Sequence, residues 1–96
     1  MVMGMDTRTL IEQRLRKALD PVELDVIDES AAHAGHAGAA SGGGHFRVIL
    51  VAKEFEGLNQ LARQRRVYEI LGDEMKSAIH ALSMTCVSPT EYEAED

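Results

Sequence analysis

At 96 residues and 45% hydrophobic content, the chain can bury one modest core and has little room for an enclosed multi-residue active site. Ten basic against sixteen acidic residues give a formal net charge of -6, which disfavours nonspecific attraction to nucleic-acid phosphates. A single cysteine, Cys86, excludes an internal disulfide framework and a cysteine-only metal site, and suits a reducing compartment.

The opening MVMGMDTRT lacks an apolar run followed by a small-residue cleavage site, and no stretch approaches the roughly 20 apolar residues of a membrane span. A soluble, cytoplasmic protein without membrane association is expected. From Thr7 to Leu19, Leu10, Ile11, Leu15, Ala18 and Leu19 share one side of an amphipathic helix made basic by Arg8, Arg14, Arg16 and Lys17. Pro21 stops it, because the residue before a proline is pushed out of the α region. Val22, Leu24 and Val26 then alternate with Glu23 and Asp25, the pattern of a strand with one wet face.

A loop spanning about 29–44 follows, small-residue and aperiodic, and closed by Gly42, Gly43 and Gly44. Composition alone reads it as a floppy hairpin connection. Three of the four histidines nevertheless gather there, His33 and His36 inside and His45 at its close. Histidine is the commonest metal ligand, and a flexible loop can carry an imidazole to a site that a strand cannot reach.

Phe46, Val48, Leu50 and Ala52 alternate with Arg47, Ile49, Val51 and Lys53, and the apolar second set predicts a central strand covered on both faces. Gly57 supplies the positive φ of a sharp turn. Beyond it Leu58, Leu61, Tyr68, Leu71 and Met75 predict one apolar helical stripe, with Arg65 pointing into it and Arg63 and Arg66 nearer solvent. The plain reading of Arg65 is a packed stem with a paired guanidinium, and the sharper one an anion or partner contact. Gly72 breaks the helix, which resumes from Asp73 to about Ala78.

The last strand, Ile79 to Val87, places His80, Leu82, Met84 and Cys86 on one face. Six positions of strand hold His80 and Cys86 roughly 20 Å apart, so they cannot share an ion within one chain. By itself His80 reads as a strand-end histidine bonded to a backbone carbonyl, and Cys86 as a small buried hydrophobe. Ser88, Pro89 and Glu91 spell a capping box with proline at the first helical position, and an acidic tail covers about 92–96. The order αββαβα predicts one α+β domain over residues 1–96. A hairpin and a right-handed crossover give it a three-stranded mixed sheet packed by helices.

The segments DES, His33, HFRVILVAKEFEG, LARQRRVYEIL and IHALSM, in this order and spacing, resemble the BolA family over nearly the whole chain. The resemblance implies a fold similar to class II KH domains. It also implies a monothiol glutaredoxin partner and a shared 2Fe-2S cluster, in iron-sulfur trafficking or iron sensing. Bacterial members are also described as DNA-binding transcriptional regulators linked to stress and cell shape. The family's C-terminal histidine ligand maps onto His80 and its loop ligand onto His33, with His36 and His45 close enough to substitute. The loop holds no cysteine, so the chain resembles the histidine-type subgroup. Many members carry a histidine between the two arginines of the basic helix, where this chain has Gln64, so any role of that histidine has no counterpart here.

Two functions are therefore expected in order. The first is a non-enzymatic adaptor, a monomer or weak homodimer when free, that holds the cluster with glutaredoxin and glutathione. The second is a DNA-binding regulator acting through Lys53, Arg63, Arg65 and Arg66. The turn Gly57, Leu58, Asn59, Gln60 lacks the second glycine of the KH backbone clamp, which lowers the second reading. No Ser/His/Asp or Cys/His set, phosphate-cradling loop or catalytic carboxylate pair marks an enzyme.

Overall fold

The computed structural model describes residues 6–30 and 44–94. Helix α1 (Thr7–Leu19) starts where the Asp6 carboxylate accepts the Thr9 N–H, and ends at Asp20, whose φ of 45° takes the chain out of the right-handed helical region before Pro21. Strand β1 (Glu23–Asp28) pairs antiparallel with β2 (Gly44–Val51), and β3 (Ile79–Val87) lies parallel to β2, giving the sheet order β1-β2-β3. Between β2 and β3 run a 3-10 turn (Lys53–Phe55), α2 (Gln60–Leu71) and the short α3 (Glu74–Ser77); α4 (Pro89–Ala94) follows β3. The α+β class and mixed three-stranded sheet are as the sequence predicts. Among the described residues no helix is long and apolar enough to cross a membrane.

Even-numbered strand residues Leu24, Val26, Phe46, Val48, Leu50 and Cys86 point into one core with Ile11, Leu15 and Leu19 of α1 and Val67 and Leu71 of α2. Both helices therefore cover the same face of the sheet. The expectation that β2 is covered on both faces holds only at its end: Val51 is 1% exposed, whereas Ile49 is half-buried and Arg47 exposed. Val22 is also corrected, since it precedes β1 and is exposed.

The α2 stripe differs from the predicted one. Arg63, Val67 and Leu71 are its buried line, whereas Leu61 and Tyr68 are 57% and 42% exposed and Arg65 faces solvent. Asn59 caps the helix by accepting the Ala62 N–H, and from that start the i, i+4, i+8 row of Arg63 is the one aimed at the sheet. Gly57 has φ 78°, as its turn requires, and Gly72 ends α2 with φ 20°. The predicted capping box forms in both directions: Ser88 N–H donates to Glu91 Oε1 and Glu91 N–H to Ser88 Oγ. Helix α4 runs to Ala94, so most of the expected acidic tail is helical.

Candidate functional site

The first residues of β2 and β3 meet at one end of the sheet, where Gly44 N–H donates to Ala78 O. Gly44 pairs with Ile79 and His45 with Ala81, so His80 is the extra residue of a β-bulge. A bulge re-aims side chains, and here it reverses the predicted alternation: Ile79 joins the core and His80 is exposed. The ring of half-buried His45 stands beside it, centroid to centroid 5.2 Å, with the planes tilted 44°. Gly44 is constrained by its neighbour, since a Cβ there would lie 2.3 Å from Phe46 Cε2.

The backbone around His45 is held on both sides. Its N–H donates to Ser30 Oγ (3.0 Å) and its carbonyl accepts the Glu29 N–H (2.7 Å), while the Glu29 carboxylate accepts from Arg47 Nε (3.0 Å). Ser30 and Gly44, the described residues that flank the segment carrying His33 and His36, thus both sit at this end. His33 and His36 themselves lie outside the described residues. Among the described residues no group of three or more metal-ligating side chains converges, so His45 and His80 are the donors that the structure brings together. Sequence reasoning carried both but missed their adjacency. Parallel register and a bulge are long-range facts that no local pattern encodes.

The basic helix is committed differently from the expectation. Arg63, which was expected nearer solvent, is 3% exposed. Its Nε donates to Leu58 O (2.9 Å), its Nη1 to Cys86 O (3.0 Å) and Glu91 Oε1 (2.6 Å), and its Nη2 to Glu91 Oε2 (3.2 Å). The guanidinium also lies 5.8 Å from the centre of the Phe55 ring. That hydrogen-bonded guanidinium, with the Ser88 N–H, pulls the Glu91 carboxyl down to about 2, and Glu91 in turn raises the Arg63 pKa. Arg66 donates to Glu54 (2.6 Å) and Glu69 (3.3 Å), leaving Lys53 and Arg65 as exposed cations. Cys86 is buried at the other end of β3 from His80, and burial pushes its thiol up to about 11. It is an inert core residue, as expected.

The fold and this site define a small α+β domain that displays an imidazole pair at one sheet end and locks its basic helix at the other. The profile of the BolA-like protein family matches residues 15–91, and the chain belongs to that family. It is 43% identical over 96 residues to SufE-like protein 1, chloroplastic/mitochondrial, of Arabidopsis thaliana, covering 94% of this chain but only 26% of that protein. It is 40% identical over 89 residues to the DNA-binding transcriptional regulator BolA of Escherichia coli, covering 93% of this chain and 82% of the relative. The solved BolA domain of SufE1 from Arabidopsis thaliana superposes with a TM-score of 0.79 at 41% identity, covering 94% and 99% of the two chains.

Proposed function

We propose that this chain is a non-enzymatic adaptor that pairs with a monothiol glutaredoxin and shares a bridging 2Fe-2S cluster with it, together with glutathione. The observation that carries this reading is the exposed His80 on its bulge, with a second imidazole beside it at the sheet end from which the histidine-bearing segment departs. Membership of the BolA-like family supports it. Imidazole nitrogens suit iron, and imidazole in place of thiolate raises a cluster's reduction potential. His80 would be the fixed ligand; the second would be His33, which the family resemblance favours, or His45, which the geometry favours.

The test is anaerobic co-purification with a monothiol glutaredoxin and glutathione, followed by visible absorption and circular dichroism. A coloured heterodimer distinct from the glutaredoxin homodimer, lost in His80→Ala while the apo-protein stays folded, is expected. An unchanged spectrum and affinity in His80→Ala would overturn the assignment. The name of the Escherichia coli relative favours a second reading, DNA binding. Here it would draw on Lys53 and Arg65, because Arg63 and Arg66 already hold carboxylates.

A further inference from the structure

We propose that the free edge of β3 is a self-association site, at which a second copy of this chain adds its own β3 antiparallel and joins the two sheets into one. In the order β1-β2-β3 the last strand has a neighbour on one side only. Val87 O accepts the Ala52 N–H (3.1 Å), so the polar groups of Val87 face β2. Backbone direction alternates along a strand, which turns Ala81, Ser83 and Thr85 towards β2 as well and sends the N–H and C=O groups of Leu82, Met84 and Cys86 outward. Cys86 O bears this out, since it takes its donors, Gln60 Nε2 and Arg63 Nη1, from beyond the strand. An open groove of about 440 Å³ lies along this edge, lined by Gln60, Met84, Thr85, Cys86, Val87 and Glu91.

The two edges of the sheet are built differently. The β1 edge carries the exposed acids Glu23, Asp25 and Asp28, and Arg8 Nη1 holds its outward Val26 O (3.3 Å). No such guard protects β3: from Ser77 to Thr90 the chain has no Asp, Glu, Lys or Arg. A strand edge without charge is a template for another strand, and in a molecule of net charge -6 it is where two copies meet with least repulsion. The edge is also complementary to itself. With a two-fold axis at Ser83, Leu82 of each copy lies opposite Met84 of the other and exchanges both backbone bonds with it. The half-buried Leu82 and Met84 side chains, packed on the core, then extend the two cores into each other, and the exposed Ala81, Ser83 and Thr85 meet with no like charges opposed. Pairing stops at Cys86, whose carbonyl is taken, and at the His80 bulge, so the contact is short and the dimer weak. The guarded β1 edge makes it a closed pair and not a filament.

The experiment is sedimentation equilibrium of the full chain from micromolar to millimolar concentration, with amide hydrogen exchange at both ends of that range. A monomer–dimer equilibrium is expected, in which exchange of the Leu82 and Met84 amides slows with concentration while the inward Ser83 amide is slow throughout. Ser83→Lys sets two like charges face to face at an exposed position and should weaken association by about tenfold or more. Ser83→Glu should do the same and serves as a second variant should the lysine form misfold. On mild oxidation Ser83→Cys should cross-link to its counterpart, because directly opposed residues of a non-hydrogen-bonded pair lie within disulfide reach, whereas Thr85→Cys, opposite Ala81, should not; the parent is the control for Cys86. A monomer at every concentration would leave the edge to a strand of another protein and overturn the proposal. So would a dimer that both charged variants leave intact, or equal cross-linking of the two cysteine variants. No glutaredoxin or cluster is present, so the result is separate from the fate of the cluster reading.

Discussion

Arg63→Ala is the substitution for which the structure makes the sharpest energetic statement. The guanidinium serves three elements: the turn before α2 through Leu58 O, the end of β3 through Cys86 O, and α4 through Glu91. Cys86 O keeps a second donor, Gln60 Nε2 at 3.2 Å, so its loss is partial. Leu58 O loses its side-chain donor, and an unsatisfied carbonyl costs about 1–3 kcal/mol when water cannot replace the donor. The lost contact with Phe55 adds about 0.5–2 kcal/mol. Glu91 is half exposed and regains water, so it adds little. The total is about 2–4 kcal/mol, or a fall in Tm of at least about 8 °C for a domain of this size. Urea unfolding of the parent and Arg63→Ala, with Arg65→Ala as an exposed control expected within about 0.5 kcal/mol, measures it. Arg63→Lys should recover only part, because an ammonium cannot fork to both Glu91 oxygens and also reach the carbonyls. A loss below about 0.5 kcal/mol in Arg63→Ala would refute the accounting.

Gly57→Val should cost roughly 1–3 kcal/mol although nothing lies within 4 Å of the added Cβ, because the backbone at φ 78° strains a β-branched residue. Gly57→Asn should cost less, and equal melting curves for parent and valine variant would contradict this. If DNA is bound, Arg65→Ala and Lys53→Ala should each reduce the slope of log affinity against log salt by about 0.9, whereas Arg63→Ala should leave that slope unchanged in the protein that remains folded. For Glu91 the folded-state pKa, about 2, lies below the ordinary 4.5, so its contribution is complete above about pH 4.5 and is lost as the pH falls through about 2. The stability difference between the parent and Glu91→Gln should therefore be constant near neutrality and shrink towards pH 2; a difference that persists at pH 2 would remove the carboxylate from the explanation.

What was legible in the sequence follows from what each signal depends on. The bounds of α1 and β3, the Gly57 and Gly72 breaks and the Ser88–Glu91 box are local, set by caps and backbone preferences within a few residues, and they were readable. The face of α2 was not. Hydropathy put Leu61 and Tyr68 inward, but Arg63 wins the inner row because Leu58 O, Cys86 O and Glu91 together compensate its charge there. Those acceptors come from three separate segments, so no window on α2 contains the reason. The His80 bulge was hidden for a similar cause. Strict alternation over Ile79–Val87 puts His80 with Cys86, and only the need to bury Ile79 against the core, in register with Gly44, breaks it.

The same strand thus ends in two different chemistries, and the fold explains why they do not interfere. At Cys86–Ser88 the strand terminates in a guanidinium clamp that directs four hydrogen bonds at two carbonyls and the Glu91 carboxylate, so that end contributes rigidity and its cation is already paired. At Ile79–His80 the polar groups are imidazoles on the surface, set on backbones that Ile79 and Phe46 tie to the core. A metal or cluster ligand would have to be positioned within about half an ångström while staying accessible to a partner, and an exposed ring on a bulge next to the buried Ile79 suits both demands. Of the arginines that made the basic helix look like the functional surface, Arg63 instead ties the turn before α2, the end of β3 and α4 together.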